Sequence, residues 1–506
     1  MSKKMNKRLV GGASAVAIAV VLYACGGSGS SNPSVDVSKG TVLLNANVVN
    51  TRDGSVSGGM SIVIDGGKIQ QIVPGGTNVT VSGSGQAVDA TGKFVVPGYL
   101  DLHSHTLDSA DQPVTNWPLL IANGITGVRE MNGSAALVKR AQQLNADSAA
   151  GKIDAPEVLT IPGDIFGGEL VGQPPIAGSS SAAAAVAEVQ KQKAYGAGFI
   201  KTVRATRDAT LAMLAEAKSQ GMYVAGHFSP TVGAKESSDA GWRGVEHLGA
   251  GLTMLLDCSA SEDSLRASLN AGTPTLQLRQ PIIDSYDDAK CQALAKTFAK
   301  NDTWHTPTLL KLRTGLAQDD PVYRNDPNLI YVSKATRAAW EAAAAQYTRT
   351  NDVAAAALLR RYFDKEQTLP KLLKQNGVKM MAGSDTSTGP AWVIPGFSLH
   401  QEFGLLAKAG LTPLEILQMT TLNGAEFFGR QSTMGTVDAG KNADLVVLDA
   451  NPVLDVANMS KIAAVVLKGK YFSKATLEQQ KANVAAAYAS ATLQTVAASV
   501  VPVHTD

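Results

Sequence analysis

Four of the chain's seven histidines, one lysine and one aspartate sit where apolar runs end. His103 and His105 flank Ser104 after a run that begins at Phe94. Ala225-Gly226-His227, Val245-Glu246-His247 and Ala382-Gly383-Ser384-Asp385 each close another run. In a strand, residues i and i+2 point the same way, so His103 and His105 can grip one ion while Ser104 turns away. Each of these groups alone also fits a satisfied polar residue of a core. Together, at the ends of strands one, five, six and eight, they point to a metal centre. Lys201 ends a fifth apolar run, Phe199-Ile200, that of strand four. Burial there favours the neutral amine, which can add CO2 to form a carbamate able to bridge two cations. A lysine paired with a nearby carboxylate is the alternative.

Such residues must be brought together by the elements that carry them. Strand candidates lie near residues 94–102, 125–130, 158–163, 199–203, 223–227, 244–247, 303–309 and 379–384, separated by mostly helical stretches. Eight alternating βα units predict an α/β fold, a (β/α)8 TIM barrel over residues 98–432, with strand ends gathered at one mouth. Short apolar runs broken by turn residues over 41–97 and 433–472 predict a small β-sandwich domain built from both chain ends. The Ala-rich stretch 473–506 is expected to be a helical tail. Thr412-Pro413-Leu414-Glu415 marks a helix start with a capping box. The long stretches 256–300 and 311–361 follow strands six and seven, as a lid or pocket wall would.

Composition supports a large core: 44% of the 506 residues are apolar, 17% are charged and the net charge is +2. Nothing in that balance calls for nucleic acid. The start reads as an export signal (1–24), with basic Lys3, Lys4, Lys7 and Arg8 before an apolar segment ending at Leu22. That segment is short for a membrane span of about 20 residues, and an uncleaved anchor is the alternative. Leu22-Tyr23-Ala24-Cys25 resembles a bacterial lipobox, with Cys25 as the lipidated residue and 25–40 as a Gly/Ser tether. The expected location is the cell envelope, at the outer membrane facing the periplasm, with membrane contact through the lipid alone. In that oxidising compartment Cys258 and Cys291 are expected to pair, two buried thiols being the alternative.

The chain resembles the amidohydrolase superfamily, nearest its imidazolonepropionase-like and prolidase-like members, from about residue 41 to 470. The resemblance rests on Pro97-Gly98-Tyr99-Leu100-Asp101-Leu102-His103-Ser104-His105, Gly124-Ile125-Thr126-Gly127-Val128-Arg129-Glu130, Gly383-Ser384-Asp385, and Gly440-Lys441-Asn442-Ala443-Asp444. It implies His103, His105 and Asp385 on one divalent metal and His227 and His247 on a second, with carbamylated Lys201 and a hydroxide bridging them. Zinc suits these ligands best. Asp385 would move the proton, and His247 would help polarise the carbonyl. Arg204 and His305 are candidates for the substrate pocket, a surface or supporting arginine and a structural histidine being equally open readings. Glu169 stands where prolidase-like relatives often carry a histidine for the substrate carboxylate, and it would repel an anion. The expected activity is hydrolysis of an amide-like C–N bond in a small molecule, short peptide or cyclic amide. Alternatives are a lactone or phosphoester hydrolase, a mononuclear deaminase, and a non-catalytic binding lipoprotein. A homo-oligomer is compatible with all of them.

Overall fold

The computed structural model describes residues 34–107, 116–167, 178, 181–386 and 392–490. The β-rich part is one eight-stranded sheet made from both chain ends. Leu445–Leu448 joins the halves, pairing antiparallel with Phe94–Pro97 on one side and Ile462–Leu467 on the other. Its four residues are all buried. Thr41–Val49, Val56–Asp65 and Lys68–Val73 extend the sheet, and Gln86–Asp89 pairs with Thr41–Val49. Leu43, Ile62, Ile69, Leu445 and Val466 pack into a core of their own. Pairing is continuous across both ends, and the turn before Leu445–Leu448 also meets Gly67 and Ile69 through Ala443 N–H to Gly67 O and Ile69 N–H to Lys441 O. A separate parallel pair, Ser34–Val37 with Asn78–Val81, flanks it.

The middle of the chain holds two parallel sheets. Tyr99–Ser104, Ile125–Glu130 and Glu157–Thr160 form one, and Phe199–Thr202, Tyr223–Gly226, Gly244–Glu246 and Trp304–Thr306 the other. A parallel bridge from Pro162 to Phe199 links them. The eighth candidate forms no ladder; instead residues 380–386 bridge His305 at Met380 and Ser104 at Thr386. Leu102 N–H donates to Ala382 O at 2.9 Å and Met381 N–H to His305 O at 2.9 Å. The first candidate strand divides at Gly98. Phe94–Pro97 belongs to the β-rich sheet and Tyr99–Ser104 to the parallel one. A Cβ on Gly98 would lie 2.1 Å from Thr126 Oγ1, so only glycine permits this crossing.

Helices fill the long stretches. Glu262–Asn270, Thr275–Asp284 and Asp288–Lys300 follow strand six, and a Cys258–Cys291 disulfide ties the third to the start of the stretch. Leu309–Leu316, Lys334–Thr350 and Val353–Glu366 follow strand seven, burying Trp340, Tyr347, Tyr362 and Phe363. The Thr412 capping box forms as expected. Helix Lys474–Ala489 buries Leu477 beside Ile121 and Phe472.

Candidate metal centre

Strand alternation sends His103 and His105 to one side, while the Ser104 hydroxyl donates to Arg129 O. Both rings reach Asp385: His103 Nε2 is 3.2 Å and His105 Nε2 3.1 Å from Asp385 Oδ1. The ligand atoms of these three residues lie within 4.8 Å of one another. Asp385 adopts φ +55°, a left-handed conformation that costs energy outside glycine and is found at functional sites. Its backbone N–H donates to His103 O at 2.8 Å. The preceding Ser384 donates its N–H and hydroxyl to Asp101 at 2.9 and 2.5 Å. Burial pushes Asp101 up to about 6.

A buried chain of charge supports His103 from behind. Its Nδ1 lies 2.7 Å from Glu246 Oε2, and Arg129 Nη2 donates to both Glu246 oxygens at 2.7 Å. Arg129 also donates to Thr306 Oγ1 at 3.0 Å. Burial would raise the Glu246 carboxyl, but the charges of Arg129 and His103 outweigh it and hold the group near 2. An ionised Glu246 accepts the hydrogen bond of His103 Nδ1–H, the tautomer that turns the Nε2 lone pair toward Asp385. This buried Nε2 makes no hydrogen bond. Two acceptors facing each other at 3.2 Å fit a cation between them, and two imidazoles with a carboxylate suit a first-row divalent metal.

His247 follows Glu246 at φ +52°, which swings its ring to 4.5 Å from that of His103. Thr308 Oγ1 holds His247 Nδ1 at 2.5 Å. The His227 ring lies 5.0 Å from that of His247, and its backbone N–H donates to Thr202 O. Burial keeps His247 well below the usual imidazole range and brings His105 to about 4, so both rings stay neutral. Lys201 is buried, and its charge acts on His105, Glu246 and His247. The six residues read from the sequence as ligands are thus neighbours, with His103, His105 and Asp385 the tightest set.

Other expectations fare differently. His305 is buried with its ring 4.8 Å from that of Phe298. Its strand pairs Glu246 with Thr306 and Val245 with His305. Arg129 binds both Glu246 and Thr306, so His305 lies on the opposite, outer face, which corrects its placement in the pocket. Burial drives it down to about 3. Arg204 is half-buried in the turn after Phe199–Thr202, beside Ala205, whose carbonyl accepts from Ser229 and Thr231. Glu169 and Cys25 lie outside the described residues.

Several site residues were missed by the sequence reading. Lys311 Nζ lies 3.0 Å from Asp385 Oδ2. Burial would raise Asp385, but Lys311 foremost among the neighbouring charges holds its carboxyl well below the usual range. Glu130 accepts the backbone N–H groups of Thr106 and Leu107 at 2.8 and 3.0 Å, fixing the turn after His105. The available signal was charge: Asp101, Arg129, Glu130 and Glu246 stand in otherwise apolar strands, where an unpaired charge is costly.

Residues 330–471 match the model of the Amidohydrolase family. An imidazolonepropionase of Salmonella agona (strain SL483) is 35% identical over 98 residues, 19% of this chain and 23% of that protein. The chain therefore spans about a quarter of that relative's length in this alignment. An imidazolonepropionase of Salmonella schwarzengrund (strain CVM19633) is 24% identical over 414 residues, 78% of this chain and 87% of the relative. Among solved structures, a bottromycin amidohydrolase superposes with a TM-score of 0.69 at 19% identity, covering 88% of this chain and 90% of the other. A Xaa-Pro dipeptidase with bound methionine in its active site gives 0.59 at 17%, covering 86% and 99%. At these identities the superpositions show a shared fold. The family match covers residues 330–471, and over most of its length the chain is similar in sequence to an imidazolonepropionase and in fold to the solved hydrolases.

Proposed function

We propose that this protein is a metal-dependent hydrolase of an amide-like C–N bond in a small molecule, short peptide or cyclic amide, built on a (β/α)8 barrel. The observation that carries the reading is the convergence of His103, His105 and Asp385 with Glu246 and Arg129 behind them. His103, His105 and Asp385 would hold one divalent ion, zinc first, and His227 and His247 a second, with Lys201 carbamylated between the two sets. Ions held there would acidify a water and polarise the substrate carbonyl. Asp385 takes the proton from the attacking water and delivers it to the leaving nitrogen. His247, oriented by Thr308, would help polarise the carbonyl. Glu246 and Arg129 hold His103 in the tautomer that leaves Nε2 free to bind.

The protein is further proposed to be exported and lipid-anchored through Cys25, a reading supported by the sequence of its first 31 residues. Metal analysis of the purified protein, with a panel of dipeptides, N-acyl amino acids, cyclic amides, lactones and phosphotriesters, tests the hydrolase. Release of amine that stops on chelation and returns with metal supports it. Turnover confined to lactones or phosphotriesters overturns it. A one-metal site is the second reading, favoured because among the described residues only His103, His105 and Asp385 converge within 4.8 Å. One equivalent of metal at full activity would select it.

A further inference from the structure

The turn that opens helix Leu309–Leu316 touches both halves of the candidate centre. Thr308, just before it, holds His247, and Lys311 in its first turn holds Asp385. The two oxygens of Asp385 therefore face different neighbours, Oδ1 toward His103 and His105 and Oδ2 toward Lys311. The turn is fixed from behind by buried Glu402, which accepts the backbone N–H groups of Leu309 and Leu310 at 2.9 and 2.8 Å. Lys311 is thus placed by a capped helix start. Its side chain retains 27% exposure, whereas that of Asp385 retains 4%. The lysine is thus the more open side chain of the pair.

We propose that Lys311 is a specificity-determining residue that receives a carboxylate carried by the substrate beside the bond to be cut. The proposal rests on the hydrolase reading above. An ammonium has three donors and can hold more than one acceptor, and a charge-assisted hydrogen bond is stronger than a neutral one. In that reading Asp385 delivers the proton to the leaving nitrogen, and Nζ stands 3.0 Å from its Oδ2. An anion on Lys311 therefore lies within a few bonds of that nitrogen, as in an acylated amino acid. An amide without that charge would forgo this contact.

Calorimetry of the metal-loaded protein with N-acetyl amino acids and with the matching N-acetyl amino acid amides tests this without requiring turnover. The carboxylates are expected to bind about tenfold more tightly than the amides. Lys311→Met should abolish that preference, Lys311→Arg should keep much of it, and Lys311→Glu should reverse it. A purely structural role, holding Asp385 in place, would weaken both ligand sets alike and overturn the proposal. So would equal binding of both sets by the native protein, or a preference that survives in Lys311→Met, which would move recognition to another cation such as Arg204. Amine release measured on the same ligands tests the hydrolase separately. Turnover without carboxylate preference removes Lys311 from recognition, and carboxylate-selective binding without turnover anywhere in the wider panel removes the hydrolase.

Discussion

Glu246 lies 2.7 Å from His103 Nδ1 while the same carboxylate receives Arg129, so an arginine on the second strand sets the orientation of a histidine on the first. Partners of this kind orient ligands, and their loss weakens metal binding by about 10–100-fold. Glu246→Gln should therefore lower metal affinity by that order, read by competition with a chromophoric chelator. Native affinity in the variant would remove Glu246 from the support of the site.

Lys201 and Asp385 should fail in different ways. Lys201→Ala should lose metal as well as rate, and a short carboxylic acid, replacing the carbamate, should partly restore both. Asp385→Asn should keep much of the metal at His227 and His247 yet lose about 10²–10⁴ in turnover. Two equivalents of metal with near-native turnover in Lys201→Ala would remove the carbamate bridge from the site.

The Cys258–Cys291 bridge closes a 33-residue separation, which the chain-entropy model values at about 3–4 kcal/mol. Replacing both cysteines by alanine should lower the unfolding free energy by that order in denaturant titration. An unchanged midpoint would show the bridge to be dispensable.

Glu366, on Val353–Glu366, is buried near Arg279, whose guanidinium lies 4.4 Å from the Tyr362 ring. Burial outweighs the Arg279 charge and pushes Glu366 from 4.5 up to about 7. The folded state then keeps a proton that the unfolded chain releases, so this group's contribution to stability falls as pH rises through that window. The loss is on the order of 2–3 kcal/mol. Glu366→Gln should flatten the decline in Tm between pH 5 and 8. Parallel profiles for the two proteins would refute the assignment.

Export can be checked at one atom. Cys25→Ala should release the protein from membranes or leave an unprocessed precursor. Unchanged fractionation with an unchanged N-terminal mass would dismiss the lipid anchor.

The ligand candidates and the βα rhythm were legible in the chain because both leave short-range marks. An apolar run that ends in histidine or aspartate is a local pattern, and i, i+2 spacing states which side chains share a face. The same locality explains the failures. Nothing near Lys311 links it to Asp385, 74 positions away, and the contact exists only because a helix start meets the end of the 380–386 segment. His305 reads like a mouth residue until pairing with Gly244–Glu246 sets its face, since one step along a strand reverses a side chain. The division at Gly98 depends on Thr126 approaching from the next strand. Sequence alone thus picked out most of the residues that meet at the candidate centre. The tertiary structure decided which charges support, orient and neutralise them, because buried ion pairs form between elements whose separation along the chain carries no local signal.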